Sequence, residues 1–205
     1  HRSEETFKEA QVAAIDARNQ GVEHNVLNLE ALKAMEPSAN FEGFVGAIHW
    51  KNSWQVSNPR SLVKAYAKNF QEMQGTIKES DVKEIVQDGE GWKVITDNDT
   101  YYSDKLVIAA GPWSNDLIRP LGYNLPLFPM RGYHQHFKVT EKNTINHSMF
   151  DMDKGFVMGP MQQGIRITTG AEMTTMNAPK HFGQLKTVLK LAKKILPLED
   201  AVESE

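Results

Sequence analysis

The sequence predicts a mixed protein, an α/β region carrying an added antiparallel meander followed by an α+β region in which antiparallel strands are backed by a helix. Three observations support this reading. Helical hydrophobic periods give way to short alternating strands over residues 1–124; an apolar run at 106–110 ends abruptly on Gly111-Pro112; and from Leu125 onward strand-like segments lead into one amphipathic helix.

Residues 3–20 read as a helix: Ser3 is the cap, Glu4 and Glu5 occupy the first turn, Phe7, Ala10, Ala14 and Ala17 recur at helical spacing, and Gly21 is the stop. A shorter helix runs from Asn28 through Leu29, Leu32 and Met35 and is closed by Pro37. Residues 44–50 have strand character, with Trp54-Gln55-Val56 continuing or opposing them. Asn58-Pro59 is a cap followed by proline at the first helical position. Leu62, Val63, Tyr66, Phe70 and Met73 then mark a helix face expected to cover a core, up to Gly75. Strands are expected at 76–79, 82–86, 92–96 and 100–102, the last three forming a meander around the turn clusters Asp88-Gly89-Glu90-Gly91 and Asp97-Asn98-Asp99.

The meander feeds the run LVIAA at 106–110, five apolar residues bounded by Asp104-Lys105 and by Gly111, the pattern of a strand buried on both faces. Ala109, Ala110 and Gly111 carry so little side chain that a flat or phosphorylated group can approach their backbone. Trp113-Ser114-Asn115-Asp116 opens a short helix whose first amides could face an anion; an ordinary tight turn is the simpler alternative.

LPLFPM, residues 125–130, is a proline-punctuated crossover, and a domain boundary is expected there, separating 1–124 from 125–205. Residues 132–139 alternate, with Tyr133, Gln135, Phe137 and Val139 on one face and His134, His136 and Lys138 on the other. Further strands at 156–158 and 165–169 flank the turn Gln162-Gln163-Gly164. The helix at 182–196 faces Leu185, Val188, Leu189, Ala192 and Ile195 inward and Lys186, Lys190, Lys193 and Lys194 to water.

Composition narrows the function classes. A net charge of -3 without a long Lys/Arg run argues against a nucleic-acid partner. With no cysteine there is no thiolate metal site or thiol nucleophile, so redox chemistry requires a cofactor. No apolar run approaches the length of a membrane-spanning helix, roughly 18 residues or more. His134 and His136 lack further ligands at metal-binding spacing, and Asp151 and Asp153 lack the glycine and terminal glutamate of a calcium loop, so no metal is expected. GxSxG, GxxxxGK[ST] and GxGxxG patterns are absent. Seven methionines between Met130 and Met176 read as core packing, with an adaptable pocket as the alternative.

The Asn58-Pro59-Arg60 helix start, the strands opening at Gly75, YYSDKLVIAAGPWSNDL, LPLFPMRGY, GFVMGP, GIRITTGAEM and KKILPLED together resemble, in order and spacing, the flavin-dependent amino-acid oxidoreductases of the D-amino-acid oxidase superfamily. The resemblance is to the D-amino-acid dehydrogenase and glycine oxidase types and spans nearly the whole chain. It implies a Rossmann-like FAD-binding domain, of which 1–124 is a part, and a substrate domain, of which 125–205 is a part. It implies FAD contacts at Val82, Ala109, Ala110, Gly111 and Trp113, and an amino-acid pocket lined by Phe156 and Met173. Family members often have tyrosine where Phe156 stands, so a hydroxyl contact to the substrate is missing here.

Arg131 and Arg166 are the cations on strand segments that would reach that pocket, a structural or surface role being the simpler reading of each, and Arg166 is the candidate substrate contact. The implied reaction is oxidation of the Cα–N bond of a D-amino acid, with glycine or sarcosine as alternative substrates. Oxygen or a quinone is the implied electron acceptor, and the implied location is the cytoplasm or the inner face of the membrane. A binding module that kept the fold without the cofactor is the rival reading. The family's glycine-rich turn is expected before His1 and its carboxylate-binding arginine after Glu205, so the chain reads as an internal piece of a longer protein. Alone, it is expected neither to retain FAD nor to turn over amino acids, and to self-associate through the edge at 106–110.

Overall fold

A computed structural model describes residues 1–202. Along the chain run α1 (Glu4–Asn19), β1 (His24–Leu27), α2 (Leu29–Met35), β2 (Ala47–Trp50), α3 (Pro59–Glu72), β3 (Val82–Asp88), β4 (Gly91–Thr96), β5 (Thr100–Ser103) and α4 (Ser114–Ile118). There follow β6 (Met130–Arg131), β7 (His134–Phe137), β8 (Met149–Asp151), β9 (Phe156–Met161), β10 (Gly164–Thr168), β11 (Glu172–Met173) and α5 (Gly183–Ile195). The chain forms two compact units that interleave. The first contains His1–Leu62, Gly132–Ala171 and the residues from Lys180 on; the second contains Val63–Arg131 and Glu172–Pro179. The change of character at Leu125 thus falls inside the second unit, and residues 1–62 cluster with the later sheet.

The first unit is built on an antiparallel sheet of order β7-β10-β9-β8. Ile165 pairs with Phe137 on one side and Pro160 on the other, and Ile167 pairs with Gln135 and Met158. Because side chains alternate across a strand, Phe137, Ile165, Ile167, Phe156 and Met158 share one face. They form a core with Val188, Ala192 and Ile195 of α5, and with Leu196 and Leu198 just beyond it. The inward residues of α5 are those that its helical period marks. A second antiparallel pair, β1-β2, lies with α1 and α2. Ser3 and Asn28 cap these helices as their sequence positions suggest, accepting hydrogen bonds from Thr6 N and Ala31 N.

Two buried carboxylates join segments far apart in the chain. Glu36, only 1% exposed, accepts hydrogen bonds from the backbone N–H of Asn146 and of His147, each at 2.8 Å, and lies 2.7 Å from His147 Nδ1. Asp151 receives Arg2 Nε and Nη2, both at 2.8 Å, while that guanidinium stacks 3.9 Å over Phe44. Neighbouring Asp153 accepts from Arg2 N at 2.7 Å and from Thr6 Oγ1 at 3.0 Å, which moors the start of α1 to the turn after β8.

In the second unit β3-β4-β5 form the expected meander, and α4 packs on β3. Three expectations change. Residues 76–79 and 54–56 form no strand, and α3 has no buried residue, with Val63, Tyr66, Phe70 and Met73 exposed instead of covering a core. The third is residues 106–110, which lie outside every strand pairing, with Val107 87% exposed. A strand buried on both faces needs hydrogen-bonded neighbours and covering layers, and no described residue pairs with this run. Among the described residues no helix is long and apolar enough to cross a membrane.

Gly164 adopts φ +128°, and a Cβ there would collide with the carbonyl oxygen of Phe137. Gly164→Ala should therefore lower unfolding free energy by about 2 kcal/mol or more. Gly89→Ala, at φ +60° with open space around it, should cost only about 1 kcal/mol; urea denaturation of the two variants checks the difference. Burial pushes the Asp153 carboxyl up, but the hydrogen bonds from Arg2 N and Thr6, with the nearby positive charge, outweigh it and hold the group below its usual 3.8. A depressed carboxylate stabilises the fold at neutral pH and loses that contribution as pH falls through its folded-state value. Thermal midpoints should therefore drop more steeply below about pH 4 in the parent protein than in Asp153→Asn.

Candidate functional site

In the second unit, Ala109, Ala110, Gly111 and Trp113 are contiguous at the end of the unpaired run. Gly111 has φ +53° and opens a one-turn 3-10 helix, Gly111–Trp113, that leads directly into α4. A Cβ built on Gly111 meets nothing within 4 Å, so glycine serves the left-handed backbone there and leaves the surface open to an approaching group. Asn115 holds the following segment in place: its Nδ2 donates to Leu125 O at 2.8 Å and its Oδ1 accepts from Leu125 N at 2.9 Å. Val82 starts β3, the strand on which α4 packs, and is exposed. The open Cβ space at Gly111, the exposed apolar run and the exposed Trp113 ring fit the requirements of a flat, phosphorylated cofactor.

The substrate residues fall in different places. Arg166 lies on β10, opposite His136 of β7 and Gly159 of β9. Its side chain therefore leaves the sheet on the face away from the α5 core. Arg166 Nε is buried and has no hydrogen-bond partner. A Cβ on Gly159 would meet Ser148 Oγ and the Gln55 amide, so the loop after β2 covers this part of the sheet face. Gln55 is held there by Pro160 O and by the Ser148 hydroxyl.

Arg131, in the second unit, is committed elsewhere, donating from Nη1 to Ala178 O and Pro179 O and from Nη2 to Met176 O. Phe156 is 1% exposed and points into the core, to the side opposite Arg166. Met173 sits on β11, paired with Met130 of β6, and is 73% exposed. The methionines divide likewise: Met158 is in the core and Met149 packs against it, while Met130, Met152 and Met173 are exposed. His134 and His136 stack edge to face at 5.2 Å. The described residues contain no group of three or more His, Cys, Asp or Glu arranged to hold a metal.

One constellation has no local signal in the sequence. A cavity of about 420 Å³ in the first unit is lined by Phe156 and Met158, by apolar residues of α2 and β2, and by Glu36, His49 and His147. Glu36 reads in sequence only as the end of a helix before Pro37, because its partners are about 110 residues away.

The family described as FAD dependent oxidoreductase (DAO) matches residues 1–205. Peroxisomal sarcosine oxidase of Homo sapiens is 33% identical over 113 residues, which is 55% of this chain and 28% of that protein. D-amino acid dehydrogenase of Bradyrhizobium diazoefficiens is 28% identical over 154 residues, 73% of this chain and 36% of that protein. Among solved structures, glycine oxidase from Bacillus cereus superposes with a TM-score of 0.83 at 22% identity, covering 98% of this chain and 56% of that one. The chain thus spans about a third of these curated relatives and just over half of that structure, and the fold correspondence extends through nearly all of its residues. Both compact units belong to that shared fold, and the chain is a member of the FAD-dependent oxidoreductase family.

Proposed function

We propose that the polypeptide carrying this chain oxidises the Cα–N bond of D-amino acids with FAD. The observation that carries the substrate half of this reading is the buried Arg166 Nε left without a partner. A buried charged donor costs free energy until something anionic meets it, and an amino-acid carboxylate offers two oxygens to a guanidinium fork. Arg131 is spent on backbone carbonyls, which leaves Arg166 as the strand cation able to do this. Similarity to D-amino acid dehydrogenase along 73% of the chain supports the same substrate class. The similarity to sarcosine oxidase favours glycine or N-methylglycine as the second reading.

In this proposal the surface at Val82 and at Ala109 to Trp113 holds the cofactor, so that the second unit is part of an FAD-binding domain and the first is part of a substrate domain. Bound FAD supplies the two-electron acceptor for the hydride that leaves Cα. The amine also gives up a proton, and the imino acid hydrolyses in water to a 2-oxo acid and ammonia. Arg166 fixes the carboxylate, which orients Cα without taking part in proton transfer. Phe156 supports this face from behind by packing. Reoxidation would use oxygen or a quinone.

Anaerobic mixing of the full-length holoprotein with D-alanine should bleach the flavin absorbance, whereas L-alanine should not; faster bleaching by glycine or sarcosine than by any D-amino acid would favour the second reading. Arg166→Leu should raise KM for amino acids by about tenfold to a hundredfold, matching a charge-assisted hydrogen bond of about 1.5–3 kcal/mol, with flavin content unchanged. Gly111→Leu should do the reverse, lowering the flavin-to-protein ratio after desalting, because leucine is strained at φ +53° and occupies the open surface.

A further inference from the structure

A cavity borders the α5 side of the four-stranded sheet and reaches its β8 edge. Phe156 and Met158 line it, and their side chains leave the sheet opposite to Arg166. Its volume of about 420 Å³ lies in the range of small-molecule sites, about 300–1,000 Å³. Leu32, Phe41, Phe44, Ile48 and Met149 make most of the wall apolar, and the lining residues Trp50, Phe150 and Met152 are also exposed, marking the mouth.

Six polar residues interrupt this lining, His1, Glu36, His49, His147, Ser148 and Asp151; Asp151 is taken up by Arg2 and Ser148 by Gln55. Glu36 Oε1 lies 2.7 Å from His147 Nδ1. A carboxylate oxygen accepts, so His147 Nδ1 carries the hydrogen, and in the neutral tautomer Nε2 is then an acceptor. The His49 ring stands 5.3 Å away at 71°, and its Nδ1 is buried with no partner. Two imidazole rings at this spacing can share one oxygen within ordinary hydrogen-bond reach, about 2.7–3.2 Å to each nitrogen. With the hydrogen of His49 on its unpartnered Nδ1, the two rings offer one donor and one acceptor, and a hydroxyl, which both donates and accepts, serves both.

We infer that this cavity binds a small aromatic alcohol, a phenol or naphthol, with its rings against Phe41, Phe44 and Met149 and its hydroxyl between His49 and His147. The site does not depend on flavin or on the amino-acid substrate.

Titration of the full-length holoprotein with 2-naphthol, followed by the fluorescence of the ligand, tests this, with naphthalene as the hydroxyl-free control. Saturable binding of one 2-naphthol per chain is expected, with naphthalene weaker by about tenfold or more. His49→Phe keeps the ring volume, removes the nitrogen and should weaken 2-naphthol by about tenfold while leaving naphthalene unchanged. Ala47→Leu, which fills the cavity, should abolish binding of both, and unchanged circular dichroism and flavin content would show that each variant is folded. If Ala47→Leu fails to fold, His49→Phe and the naphthalene comparison still decide. Absence of saturable binding, equal affinity for naphthalene, indifference to His49→Phe, or competitive displacement by a D-amino acid would each overturn the inference.

Discussion

Met161 and Gly164 pair across a two-residue loop, and that pairing sets the face of every side chain on β9 and β10. With this register Ile165 and Ile167 reach the core under α5, and Arg166 leaves the sheet on the other side. A slip by one residue would move both isoleucines to the far face and place a guanidinium among Phe137, Met158 and Val188. The turn geometry and the hydrophobic pattern therefore specify the same register. Gly164 carries the positive φ that closes the hairpin against the Phe137 backbone. The core, the face that carries Arg166 and the walls of the cavity all inherit their positions from this one hairpin.

Around that hairpin, charge is used to connect segments that apolar packing leaves separate. Glu36 ends α2, yet its carboxylate is saturated by the backbone and ring of a segment more than 100 positions later. Asp151 and Asp153 do the same for Arg2 and the first turn of α1. Buried Glu36 and Asp151 would be strongly destabilising without partners, so their contacts hold only when both segments are in place. The joins are thus specific to one arrangement of the first unit. They also explain how Glu36 and His147 come to stand in the wall of an otherwise apolar cavity.

The second unit has the opposite character. Its meander is well paired, but the apolar face of α3 and the run at 106–110 remain at the surface. A helix with a strong apolar stripe and a strand-like run with no pairing partner are both patterns of buried elements. In a family whose cofactor is a large dinucleotide, a surface of this kind beside Gly111 and Trp113 suits the proposed flavin contact.

Local chemistry determined a good part of this protein by itself. Ser3, Asn28 and Asn58-Pro59 start helices because a cap or an N1 proline acts within one turn of chain. The β3-β4-β5 meander and the inward face of α5 follow from periods of two and of 3.6 residues. The order of such segments also sufficed for the family and its flavin. Tertiary structure decided the rest. HNVL at 24–27 becomes a strand by pairing with residues 47–50 and MFD at 149–151 by pairing with neighbouring β9, whereas residues 106–110 have no partner among the described residues. Arg131 and Arg166 look alike in sequence, but one meets three carbonyls and the other meets none. Phe156 turned inward and Glu36 found His147 for the same physical reason: the face of a strand and the partner of a buried charge are fixed by what packs against them, and those neighbours lie far away in the chain.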